Sequence, residues 1–117
     1  MSEWIACGEG FIEADVIRWK EAVWKPKARQ NSRAVRIGER TITAQVLKVT
    51  PDGWIVLVVK LCETTTAETW WRQIPALKAG AELRRRPATI GRGRAERLRW
   101  SDESARSAVA SRFLKPS

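Results

Sequence analysis

Thr41-Ile42-Thr43-Ala44-Gln45-Val46-Leu47-Lys48-Val49-Thr50-Pro51-Asp52-Gly53-Trp54-Ile55-Val56-Leu57-Val58-Val59-Lys60-Leu61 is the stretch whose reading decides the fold. Ile42, Ala44, Val46 and Lys48 alternate with Thr41, Thr43, Gln45, Leu47 and Val49. That period of two sends the two sets to opposite faces of a strand. Thr50-Pro51-Asp52-Gly53 is turn chemistry, with Pro51 fixing its own φ. Trp54 to Leu61 is then apolar throughout except for Lys60, the pattern of a strand covered on both faces. The spacing predicts a β-hairpin from strands 40–50 and 54–63.

Working toward the N-terminus, Val35 and Ile37 share one face of a short strand, which Gly38-Glu39 is expected to end in a turn. Lys25 to Ser32 holds Pro26 and nothing apolar larger than Ala, so 25–33 is predicted to be an exposed basic loop. Within Phe11 to Trp24, Ile17, Trp19 and Val23 alternate with Arg18, Lys20, Ala22 and Trp24. A strand is favoured, with Trp19 in the core, over the rival helix that Glu13, Ala14, Lys20, Glu21 and Ala22 would support. Trp24, beside the loop, reads equally as core or as surface.

Toward the C-terminus, Thr64-Thr65-Thr66 is expected to leave the sheet, with Thr66 capping a short helix that ends before Pro75. Lys78-Ala79-Gly80 reads as a turn. Segments 82–86 and 94–100 read as two further strands, with Pro87 closing the first and Gly91-Arg92-Gly93 in the connection. The last element is a helix over 101–113, with Ser101 as N-cap and Asp102 and Glu103 in the first turn, where the helix dipole favours acids.

These elements predict one compact domain over residues 1–117, since 117 residues support a single core of ordinary size. The class is mainly β (α+β). Five to six short strands with a C-terminal helix suggest a small, partly open barrel of the SH3-like or OB-like type, an analogy of architecture only.

Composition narrows the function. The net charge is +9, and residues 26–48 and 82–100 carry +5 each. Such an excess favours polyanions, and nucleic acid, DNA or RNA, is the expected partner. Lys25, Lys27, Arg29, Arg33 and Arg36 form the first candidate phosphate-binding set. Arg84, Arg86, Arg92, Arg94, Arg97 and Arg99 form the second, because a guanidinium fork matches phosphate oxygens. If strands 82–86 and 94–100 pair, Arg84, Arg86, Arg97 and Arg99 make one patch, and Gly91 and Gly93 let backbone approach a phosphate.

Trp24, Trp70 and Trp71 are candidate base-stacking platforms or partner contacts. Adjacent Trp70 and Trp71 cannot both face one core. The alternative reading is therefore a protein-interaction module or homo-oligomer subunit with a Trp-centred surface.

Catalysis has little to work with. The chain has no His and no Tyr, and its 2 cysteines, Cys7 and Cys62, suit neither a metal site nor a disulfide framework. No catalytic residue, metal or cofactor is expected, and a metal-independent ribonuclease is the one enzymatic option left. No run approaches a transmembrane helix and no secretory signal is visible, so no membrane association and a cytoplasmic setting are expected.

Overall fold

The computed structural model describes residues 3–7, 10–25, 35–67 and 74–113. Its strands are β1 (Trp4–Ala6), β2 (Val16–Trp24), β3 (Arg36–Val49), β4 (Ile55–Thr66), β5 (Glu82–Arg85) and β6 (Glu96–Leu98). Two helices follow from the same order: α1 (Pro87–Arg92) between β5 and β6, and α2 (Glu103–Phe113) after β6. The protein is mainly β, with six antiparallel strands in one open sheet ordered β1-β6-β2-β3-β4-β5. Among the described residues no helix is long and apolar enough to cross a membrane.

The β3–β4 hairpin forms where the sequence places it. Thr50 closes the turn three ways: its carbonyl accepts from Gly53 N–H at 2.9 Å, its N–H donates to Trp54 O at 2.8 Å, and its hydroxyl accepts from Trp54 N–H at 2.9 Å. Ile42, Ala44 and Val46 turn inward as the alternation requires. In β4, Ile55, Val56 and Leu57 are buried in succession, so both faces are covered there. Coverage ends at Lys60 and Leu61, which are exposed.

Register shifts interrupt the ladder at Val23/Trp24, Thr43/Ala44 and Val46/Lys48. An extra residue at each bends the strand and raises its twist. Leu47, the extra residue of the third shift, is exposed. The curl is large. Arg85 of β5 bonds Glu21 of β2 at 2.6 and 3.2 Å, although three strand spacings of a flat sheet would hold those strands roughly 14 Å apart.

Inside the curl lies the core: Ile17, Trp19, Ile42, Ala44, Val46, Ile55, Leu57 and Val59, closed by Phe11 and by Ile90 of α1. Each fully buried aliphatic side chain here contributes roughly 1.5–3 kcal/mol. Trp19, only 1% exposed, is core as predicted, and its indole N–H donates to Glu21 Oε2 at 2.9 Å.

Several expectations are corrected. Gly38-Glu39 does not end a short strand, because β3 runs unbroken through both and pairs Gly38 with Thr66. Gly38 is there because β4 passes so close that a Cβ would collide with the Thr65 carbonyl and the Ile74 side chain. Thr64 to Thr66 does not leave the sheet but completes that pairing. Thr66 accepts a hydrogen bond from Ile74 N–H at 3.3 Å, and the helix expected after it lies outside the described residues.

The connection at 87–93 holds α1, for which Pro87 is a preset first-turn residue rather than a mere strand terminator. The strand expected over 94–100 is only β6, Glu96–Leu98, and β1 was not anticipated at all. At α2 the N-cap is Asp102, not Ser101, with Asp102 Oδ1 accepting from Ser104 and Ala105 N–H at 3.0 and 3.2 Å.

Candidate functional site

The outward face of β2 presents Arg18, Lys20, Ala22 and Trp24, the set opposite to its core residues. Across the ladder, Thr43, Thr41, Glu39 and Arg36 stand opposite them on β3. On the other side of β2 the chain after α1 forms a wall. Lys20 N–H donates to Gly93 O at 2.9 Å, and a Cβ on Gly93 would collide with the Lys20 carbonyl. Only glycine permits that approach, and it brings Arg92 and Arg94 to the rim.

Floor and wall enclose two adjoining cavities. One, of about 400 Å³, is lined by Lys20, Ala22, Arg36, Glu39, Arg92, Gly93 and Arg94. The other, of about 330 Å³, shares Lys20, Gly93 and Arg94 and continues past Arg18, Thr41, Thr43, Leu61 and Glu63 to Trp4 and Glu96. Together they form one groove along β2.

Its charges are unevenly committed. Arg18 pairs with Glu96 at 2.9 Å and lies over the Trp4 ring at 4.1 Å. Glu39 takes Arg36 at 2.9 Å and Lys20 at 3.9 Å. Among the described residues no carboxylate pairs with Arg92 or Arg94, and Arg92 spends only its Nε, on the Ala88 carbonyl at 3.3 Å. Arg94 also holds a left-handed backbone, φ 57°, which costs a side-chain-bearing residue roughly 1–2 kcal/mol.

No family model matches the chain, and no curated protein or solved structure matches it.

Of the residues singled out in the sequence, Arg36, Arg92 and Arg94 meet in this groove, and Trp24 shares the β2 face with Lys20. Arg84, Arg86, Arg97 and Arg99 do not form the expected patch, because β5 is an edge strand while β6 pairs with β1 and β2. Arg86 lies over the Trp54 ring at 4.0 Å and bonds Asp52 O at 2.6 Å. Arg84 is exposed on β5, and Arg99 is exposed beyond β6.

Arg97 is not on an exposed face: its side chain is 13% exposed and grips Glu103 at 2.7 and 3.1 Å. Gly93 meets the Lys20 backbone where a phosphate approach was expected. Lys25 is exposed, its N–H donating to Val35 O at 2.7 Å. Lys27, Arg29, Arg33, Trp70 and Trp71 lie outside the described residues.

Sequence reasoning missed Lys20 and Arg18 as groove residues, although their alternation with Ile17 and Trp19 already placed them on the outward face. It also missed two charge clusters that hold the fold. Asp15, fully buried, accepts from Ile12 N–H at 3.1 Å, from Trp100 Nε1 at 2.9 Å, and from Arg106 Nε and Nη2 at 2.9 and 2.8 Å. The Asp15 carboxylate bonded to it raises the Arg106 guanidinium further above its already high range. At Glu21, burial pushes the carboxyl up, but hydrogen bonds from Arg85 and Trp19 outweigh it and leave the group below its ordinary value.

The Cys7 thiol is poorly reactive in this setting. Burial, reinforced by nearby Asp15, pushes Cys7 up to about 11, so little thiolate forms near neutrality. Among the described residues no group of three or more His, Cys, Asp or Glu side chains could hold a metal ion.

Proposed function

We propose that this protein is a small nucleic-acid-binding domain without catalysis, and that the β2 groove is its phosphate-binding surface. One observation carries the reading. Arg36, from the first basic segment, and Arg92 and Arg94, from the second, converge on Lys20 in one groove. Charges far apart in the chain gather there, with two guanidinium groups that no carboxylate pairs among the described residues. That is the arrangement by which cations displace a polyanion's counterions.

The finer fold reading goes with it. A β2–β5 meander returning through α1 to the free side of β2, with the Glu21–Arg85 clasp, supports a partly open SH3-like barrel over an OB-like one. Free thiols at Cys7 and Cys62 suit a reducing, cytoplasmic compartment.

A salt-dependent titration with mixed-sequence DNA and RNA oligonucleotides tests the function. Binding should appear at low salt. Arg92→Ala with Arg94→Ala should reduce the slope of log affinity against log salt by roughly 1.4 to 1.8, at about 0.7 to 0.9 per phosphate. The thermal midpoint should barely move, because both side chains are exposed. No binding to either polymer at low salt would end this reading.

A protein-interaction surface is the second reading. It is favoured by Trp24 and Val35, 54% and 45% exposed and adjacent at the end of the β2–β3 pair where the chain passes from one strand to the other. A concentration-dependent change in sedimentation, abolished by Val35→Ser, would support it.

A further inference from the structure

We infer that the occupant of the groove is a single strand rather than a duplex, with Trp24 stacking on a base at the hairpin end. This deepens the nucleic-acid reading and rests on it.

Shape comes first. Duplex readers insert a projecting helix or two-stranded ribbon into a major groove roughly 12 Å wide. Here Lys20, Arg36, Arg92 and Arg94 line a recess instead, with Glu39 among them. Its floor is β2 and β3, and its wall is the Gly93–Arg94 turn fastened to the Lys20 backbone. Cavities of about 400 and 330 Å³ in line suit a chain one nucleotide thick, and a rigid double helix could touch only the rim.

Trp24 is the second observation. It lies on the same β2 face as Lys20, four residues on, or roughly 13 Å. Trp24 is 54% exposed, and no hydrogen bond or ring contact among the described residues engages its side chain. An exposed indole in line with a basic channel is the stacking platform that sequence-tolerant single-strand binders use. In a paired duplex the base faces are already stacked on one another, and this platform would have nothing to take.

The length agrees. From Arg18 to Trp24 the β2 face runs roughly 20 Å, at the short end of the roughly 4–16 nucleotides bound by small barrels. Thr41 and Thr43 supply neutral hydroxyls along the floor, able to meet sugar or base edges.

The test compares one 12-nucleotide sequence as single-stranded DNA, single-stranded RNA and duplex, by fluorescence anisotropy at a single low salt concentration. Single strands should bind at least tenfold more tightly than duplex. Trp24→Ala should lose about tenfold for single strands and leave duplex affinity within twofold. Trp24→Phe should recover part of the loss, and it serves as the probe should the alanine variant fold poorly.

Equal or tighter duplex binding would overturn this inference while leaving the nucleic-acid reading standing. Single-strand preference that survives Trp24→Ala and Trp24→Phe unchanged would remove the stacking role. No binding to any of the three would take down both.

Discussion

The Arg92–Arg94 rim and the α2 attachment are both built from arginine, and they use it in opposite ways. At the attachment, Arg106 is held by the fully buried Asp15, and Arg97 grips Glu103 through two nitrogens. At the rim, among the described residues, neither Arg92 nor Arg94 meets a carboxylate. Net charge does not separate these cases. The position of the acids does, since an arginine beside a buried carboxylate is spent on structure, and one displayed on a tight turn remains available to a ligand.

The largest way to break that contrast is Asp15→Ala. It would strand a mostly buried guanidinium, 14% exposed, and leave the Trp100 indole N–H without its acceptor. Losing one member of a buried pair costs about 3–5 kcal/mol, so the denaturant midpoint should fall sharply. A loss below about 1 kcal/mol would mean that α2 is held by something other than this pair.

Acid should sharpen the contrast more gently. Hydrogen bonds from Arg97, then from Trp100 N–H, hold the Glu103 carboxyl down to about 2 from an ordinary 4.5. The folded value is the lower one, so the pair's contribution is fully present above about pH 4.5 and fades as pH falls toward 2. Thermal midpoints of the wild type and Glu103→Gln should therefore converge over that window. Parallel curves would show that the pair adds no pH dependence.

The smallest effect is expected at the rim. Arg94→Gly relieves a left-handed backbone while freeing the unfolded chain, two opposing terms of roughly 1 kcal/mol each. Stability should change by less than about 1 kcal/mol while oligonucleotide affinity drops. A variant that melts much earlier would move Arg94 to the structural group.

How much of this was legible depended on sequence separation. The β3–β4 hairpin was readable because its turn and both apolar patterns are local. The inward set of β2 was readable for the same reason. Partners beyond the hairpin were not: Ile17 meets Arg97 across most of the chain, and no local pattern encodes that pairing. α1 was missed although Pro87 signalled it, because Pro both ends strands and opens helices. Gly38 was misread because glycine marks turns and close backbone approach alike.

The groove was half visible. Its cations stood out by density, but which of them would converge depended on the α1 crossover and on the tight contact of Gly93 with Lys20. Arg97 looked like its neighbours until the fold supplied Glu103.

An open sheet leaves backbone donors and acceptors uncovered at its margins, a template on which a second chain can polymerise. Among the described residues no strand pairs with the outer side of β5, and β1, at the opposite margin, has only 3 residues. β5 has 4, two of them arginine, with Arg86 and then Pro87 directly after. A stacking copy would have to bring like charges together and would meet a residue with no N–H to donate. Arg84 and Arg86, outside the groove, thus set positive charge along one margin of the sheet.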